Sequence, residues 1–228
     1  MEIRAAEGGD DAKLFVLNLY DMYKKFCTRT GFKLEEMYRL PGRIGVSELR
    51  FKVVGEGVYD CLIKESGGHR VQRVPPTEKG SRRHTSTVTV AVLKETEFNE
   101  ITVSNDDVSF AAFRAGGKGG QNQNKVSSAV RLTHKETGMA IECREERHQG
   151  MNKQKALKKI ENRLNSEAQS KIKKVEDADR KEQVGCGMRG DKIRTYNYRE
   201  NRVTNHINGN SVRRLREVVE CGRIDLIQ

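Results

Sequence analysis

Ala115-Gly116-Gly117-Lys118-Gly119-Gly120-Gln121-Asn122-Gln123-Asn124-Lys125 holds four glycines within five consecutive positions and runs out into amides. Without Cβ atoms the backbone reaches positive φ, and its peptide N–H groups can approach another surface closely. The neighbours are amides and lysines, so the loop is polar, cationic and expected at the surface. No Gly-Lys-Ser/Thr closes it and the Gly-x-Gly-x-x-Gly spacing fails, which excludes a P-loop and a dinucleotide fingerprint. By itself Gly119-Gly120-Gln121 fits a flexible surface loop equally well, so its surroundings decide.

Upstream, Val108–Arg114 reads as a strand leading into the loop. Downstream, a short helix is expected at Asn124–Ser128. Strands Ala129–Lys135 and Met139–Arg144 follow, joined by the turn Glu136-Thr137-Gly138. A helix over His148–Ile172 carries Ala156, Leu157, Ile160 and Leu164 on one stripe. The order β-loop-α-β-β-α describes a compact α+β module.

This module is where the charge lies. The chain of 228 residues carries a net +11, and residues 111–175 hold 15 Lys/Arg against 6 Asp/Glu, which leaves the remainder nearly balanced. Such a local excess is the footprint of a phosphate-binding surface. Arg114, Lys118, Lys125, Arg131, Lys153, Lys155, Lys158 and Lys159 are the residues expected to meet RNA. The alternative is a solubilising lysine face.

Working toward the N-terminus, Glu95–Asp107 is acidic and patternless, as at a domain boundary. Thr85–Val92, Val58–Lys64, Gly45–Val54 and Phe32–Arg39 read as strands, and Glu65–Arg73 as a helical turn or loop. Gly8-Gly9-Asp10-Asp11 opens a helix whose buried stripe is Phe15, Leu19, Met22 and Phe26. Met1–Ala6 reads as a short strand. In the other direction, Glu176–Lys192 is charged and glycine-bearing. Thr195–Tyr198 and Arg202–His206 look extended, and Ser211–Glu220 looks helical. The organisation is therefore α+β: residues 1–105 with 191–228 form one α/β sandwich-like domain completed by the tail. Residues 106–175 form the inserted glycine-loop domain, and 176–190 a hinge.

Five cysteines, an odd number with no CxxC, fit reduced thiols and match no zinc pattern. Neither a metal nor a cofactor is expected. Charges at Glu2, Arg4, Glu7 and Asp10 exclude an apolar signal segment, and no run approaches a membrane span. A cytoplasmic monomer is the expectation.

Phe113–Leu164 resembles the peptidyl-tRNA hydrolysis domain of class I peptide chain release factors. The likeness rests on the Gly-Gly-Gln loop, Asn124-Lys125-Val126-Ser127-Ser128-Ala129-Val130-Arg131-Leu132-Thr133-His134, the Thr137-Gly138 turn, Glu142-Cys143 and the basic Lys153–Leu164 helix. Ser66-Gly67-Gly68-His69-Arg70-Val71-Gln72-Arg73-Val74-Pro75-Pro76-Thr77-Glu78 and Arg83-His84-Thr85-Ser86 resemble the stop-codon-reading domain of the bacterial factor for UAA and UAG. Glu2-Ile3-Arg4-Ala5 with Gly8-Gly9-Asp10-Asp11-Ala12 resembles that domain's start. Arg194-Thr195-Tyr196-Asn197-Tyr198 and Arg202-Val203-Thr204-Asn205-His206 resemble its C-terminal segment.

The resemblance implies roles. Gly119, Gly120 and Gln121 would enter the ribosomal peptidyl transferase centre. The Gln121 N–H would stabilise a developing oxyanion or the leaving 3′-oxygen, and its side chain would admit water only. No residue stands out as a general base, and His134 reads as structural, so no independent active site is expected. Gly8 and Asp11 would meet the first base. Pro75 and Pro76 would stiffen the loop that presents Thr77, His84 would stack, and Gln72 and Thr85 would face the third base. Implied partners are ribosomal RNA, the messenger stop codon, peptidyl-tRNA and a glutamine N-methyltransferase acting on Gln121. The family also carries a helical domain ahead of this region. A shortened form is therefore expected, without the ground for counting a class II GTPase release factor as partner. Gln123 replaces the family's valine, and Asp11 stands where glutamate is usual. A codon-independent ribosome rescue factor and a non-catalytic RNA-binding module are the competing readings.

Overall fold

The computed structural model describes residues 1–78, 80–96, 98–116, 125–188 and 190–228. The chain divides into two compact units, Met1–Glu95 with Glu176–Gln228, and Thr96–Val175.

The first unit is an eight-stranded sheet against a long helix. Its elements are β1 (Glu2–Ala5), α1 (Asp10–Thr30), β2 (Lys33–Pro41), β3 (Val46–Val54), α2 (Val58–Leu62), β4 (Gly67–Arg73) and β5 (His84–Ala91). After the second unit come β9 (Arg194–Asn197), β10 (Arg202–Asn205), β11 (Ser211–Val212) and α4 (Leu215–Cys221). The strand order is β11-β10-β9-β4-β5-β1-β3-β2, so the tail's strands extend the sheet beyond β4. β4 and β9 pair in parallel, with His69 opposite Arg194 and Gln72 opposite Asn197. The other pairings are antiparallel.

α1 buries Phe15, Leu19, Met22 and Phe26 against Ile3, Val71, Val88, Tyr196 and Val203 of the sheet. Gly31 ends it in the left-handed conformation, at φ 80°. Two expectations fail nearby. Val58–Lys64 is a helix and not a strand: Val58, Tyr59, Leu62 and Ile63 recur at helical spacing and all turn to the core. β-branched and aromatic residues suggested a strand, and packing overrode that preference. Conversely, Glu65–Arg73 holds a full strand where its glycines suggested a turn. A Cβ on Gly68 would run into the Asp191 carbonyl oxygen, so that glycine serves a close crossing of two backbones.

Beneath the sheet lies a fully buried polar knot. Glu65 pairs with Arg194 and accepts bonds from Tyr23 Oη at 3.3 Å and Gln228 Nε2 at 3.2 Å. His69 bonds the Glu65 carbonyl oxygen at 2.9 Å and the Tyr196 hydroxyl at 3.2 Å. Burial, then the Arg194 charge, lowers the His69 pKa to about 3.

The second unit is a three-stranded antiparallel sheet, β6 (Val108–Phe113), β7 (Ala129–His134) and β8 (Ala140–Cys143). Helix α3 (Gln149–Val184) packs Ala156, Ile160 and Leu164 onto Val108, Val130, Leu132 and Cys143. The side chain of Asn165 pairs with both the N–H and the carbonyl of Ile101, as a neighbouring strand would. The helix extends well past Ile172, so the segment expected as a hinge is helical through Val184. No helix among the described residues is long and apolar enough to cross a membrane.

Candidate nucleic-acid interface

The first cluster forms where α1 begins. Gly8 has φ +123°, and a Cβ there would lie 2.8 Å from the Ser86 Cα. Only glycine lets β1's exit pass so close to β5. The crossing sets the N-terminus of α1, with Asp10 and Asp11 in its first turn, beside Ser86.

The Asp11 carboxylate is committed inward. Its Oδ2 accepts from Ser86 Oγ at 2.8 Å, and its Oδ1 accepts from Arg73 Nε at 2.8 Å. Arg73 also donates to Asn18 Oδ1 at 2.8 Å and lies over the Phe15 and Tyr198 rings. The carboxylate therefore ties helix to sheet, and the open end of α1 offers backbone N–H groups to a ligand.

A polar cleft of about 300 Å³ opens beside it, lined by Gly8, Arg82, Arg83, His84, Thr85 and Ser86. It unites Gly8, His84 and Thr85 of the expected codon contacts. Arg82, Arg83 and Ser86, not among the expected codon contacts, join them. A run of two arginines ahead of His84 was the available signal. Pro75 is buried while Pro76 and Thr77 are exposed, and a turn from the Pro75 carbonyl to the Glu78 N–H carries them. Glu78 Oε2 lies 2.9 Å from His84 Nε2, which links that turn to the cleft. The Gly80 N–H first, then His84, lowers the Glu78 pKa. Gln72 and Thr85 face each other across β4 and β5, both half-buried.

The second cluster belongs to the other unit. Gly119, Gly120, Gln121 and Lys118 lie outside the described residues. The segment that follows them is held firmly. Asn152, wholly buried, donates to the Ser128 and Glu146 carbonyls at 2.8 and 2.9 Å and accepts from the Glu146 N–H at 2.9 Å. Gln149 Nε2 donates to the Ser127 carbonyl at 2.9 Å. Neither residue was singled out from sequence, because polar residues early in a helix read as solvent-facing.

The expected RNA contacts divide. Arg131 pairs with Glu142, Lys155 with Glu145 and Glu146, and Lys159 with Glu145. Glu146 raises the Lys155 pKa, and Glu145 that of Lys159. Lys153 lies over the Phe110 ring at 5.7 Å. Arg114, Lys125 and Lys158 are exposed.

With these two clusters in place, comparison with known proteins is direct. Residues 1–90 match the PCRF domain and residues 95–207 the RF-1 domain. The chain is 45% identical over 228 residues to peptide chain release factor 1 of Caldicellulosiruptor saccharolyticus, covering 100% of this chain and 64% of that protein. It is 44% identical over 226 residues to peptide chain release factor 1 of Bacillus subtilis, covering 99% and 63%. Among solved structures it is similar to RF2 of Thermus thermophilus, with a TM-score of 0.58, 33% identity, and coverage of 99% of this chain and 65% of that one. The chain belongs to the peptide chain release factor family. It spans just under two thirds of the length of these relatives.

Proposed function

We propose that the chain terminates translation: its first unit reads UAA or UAG in the ribosomal A site, and its second promotes hydrolysis of peptidyl-tRNA. The observation that carries this reading is the cleft shared by Gly8, His84 and Thr85 at the open end of α1, in a chain of this family. Backbone N–H groups and hydroxyls there supply the donors and acceptors that single-stranded bases require. His84 offers a flat ring for stacking, and Thr77 is presented on a turn stiffened by Pro75 and Pro76.

At the other end, water attacks the ester carbonyl that joins peptide to tRNA. The developing negative charge, on the carbonyl oxygen or the departing 3′-oxygen, is met by the Gln121 N–H. A peptide donor fits this task because it needs no titration and no reorganisation. Gly119 and Gly120 keep the approach slim, and the Gln121 side chain excludes nucleophiles larger than water. The chain completes an RNA active site and carries none of its own. Arg114, Lys118, Lys125, Lys153 and Lys158 contact ribosomal RNA. A methyltransferase can modify Gln121.

The test is peptide release from purified ribosomes carrying formyl-methionyl-tRNA, with UAA, UAG, UGA, a sense codon or an empty A site. Release confined to UAA and UAG is expected. Gly120→Val should abolish it while ribosome binding persists, and Thr77→Ala or His84→Ala should weaken the response to stop codons. Release irrespective of codon would move the chain to ribosome rescue.

A further inference from the structure

The side of the large sheet turned away from α1 has two halves. β1 and the upper ends of β4 and β5 are covered by the chain itself. Arg180 of α3 grips Glu2 through two bonds of 2.8 and 2.9 Å, a Cβ on Gly187 would touch Thr89, and Asp191 lies over Gly68. The lower half, across β5, β4, β9 and β10, keeps Arg70, Gln72, Thr85, Arg202 and Thr204 half-exposed, with Thr87, Thr195 and Asn197 buried among them.

Strand register fixes what this half displays. His69, Val71 and Arg73 turn toward α1, so Arg70 and Gln72 turn the other way. One cross-strand row is therefore Thr85, Gln72, Asn197 and Arg202, and the next is Thr87, Arg70, Thr195 and Thr204. Every side chain in both rows is polar. Arg70 Nε and Arg202 Nε are buried without a hydrogen-bond partner among the described residues, while both guanidinium side chains stay half-exposed.

The charge is cationic. His206, bonded through Nε2 to Thr195 Oγ1 at 2.8 Å, has its pKa lowered by burial first and then by the positive charges of Lys192 and Arg70. Glu200, in the turn between β9 and β10, pairs with Arg202 at 2.7 Å. Hydroxyls and amides set among guanidinium groups match a ribose-phosphate chain.

We propose that the half-exposed side chains of this half-sheet hold the messenger RNA strand immediately 3′ of the stop codon, with Arg70 and Arg202 on its phosphates. The inference rests on the codon-reading function proposed above. Gln72 and Thr85, the contacts for the third base, begin the first row. From β4 to β10 is two strand spacings, about 10 Å, so the nucleotide that follows the third base comes within reach of Arg202.

The experiment compares two messages in the release assay, one ending at the third base of UAA and one continuing downstream. Arg70→Met keeps the aliphatic stem over its neighbours and removes the charge, whereas Arg70→Lys keeps a charge. On the continuing message, Arg70→Met should raise the half-saturating protein concentration about tenfold and flatten its salt dependence by about 0.7 in log–log slope, one phosphate's share. The saturating rate should be unchanged, Arg70→Lys should be close to wild type, and Arg202→Met should repeat the effect. On the message ending at the codon, Arg70→Met and wild type should coincide. Equal weakening on both messages would assign the face to ribosomal RNA and overturn the inference. So would an Arg70→Met chain that matches wild type on the continuing message. A wild-type chain inactive on both messages would sink the release function itself, and this inference with it.

Discussion

Arg73 Nε lies 2.8 Å from Asp11 Oδ1, and the two side chains retain 9% and 2% of their exposure. This pair fastens the last residue of β4 to the first turn of α1. Truncating one member strands the other's charge away from water, at a cost of about 3–5 kcal/mol. Asp11→Ala should therefore lower the urea midpoint strongly. Asp11→Asn should cost less, because it still accepts from Ser86. Codon preference should survive in Asp11→Asn, since the carboxylate is already occupied. A shift in codon preference at unchanged stability would instead make it a direct reader.

Gly8→Ala probes the same corner from the backbone side. The new methyl meets the Ser86 main chain, and the positive φ adds strain. Closing the crossing fills one wall of the cleft. The expected outcome is a raised half-saturating concentration on UAA ribosomes, with the saturating rate falling less. Wild-type behaviour would separate the cleft from codon reading.

Asn152→Ala should destabilise the second unit by about 3 kcal/mol, because it leaves the Ser128 and Glu146 carbonyls and the Glu146 N–H without their partner. Asn152→Asp, nearly isosteric, loses the two donated bonds and should be almost as costly. Thermal melting with hydrogen exchange over residues 125–129 gives the check. An Asn152→Asp chain with native melting and protection would show that the amide holds nothing.

His69 predicts an acid-sensitive fold. In the native state its pKa is lowered from 6.5 to about 3, so it stays neutral there, whereas the unfolded chain takes up a proton below pH 6.5. The unfolded state binds the extra proton, so stability rises with pH through this window and is level above it. Acidifying from pH 7 to 4.5 should cost on the order of 3 kcal/mol from this residue. Urea midpoints at the two pH values test it, and His69→Gln should show a shallower loss.

Much of the fold was legible in the residues. The α1 stripe and the β6–β8 hairpin arrangement followed from periodicity and turn chemistry. What escaped depended on tertiary contact. Gly67-Gly68 looked like a turn because the partner that demands glycine, Asp191, lies more than a hundred residues away. Helix α3 looked finished near Ile172 because its apolar stripe stops at Leu164, yet Arg180 and Gln183 continue it through polar bonds to Glu2 and Val92. At the interface, residue types pointed to Gly8, His84 and Thr85 but could not tell that Asp11 faces inward. Both its bonding partners, Arg73 and Ser86, come from distant strands.

The insertion of β9 beside β4 sets a timetable for synthesis. Residues 194–227 supply Tyr196, Val203, Val218, Ile224 and Ile227 to the core beneath the first unit. Arg194, the ion partner of Glu65, comes from the same stretch. Until that stretch leaves the ribosome, β4 is a bare sheet edge and Glu65 has no guanidinium to meet it. The first unit is begun before the second and completed after it, and a product broken off before Arg194 would lack that ion partner.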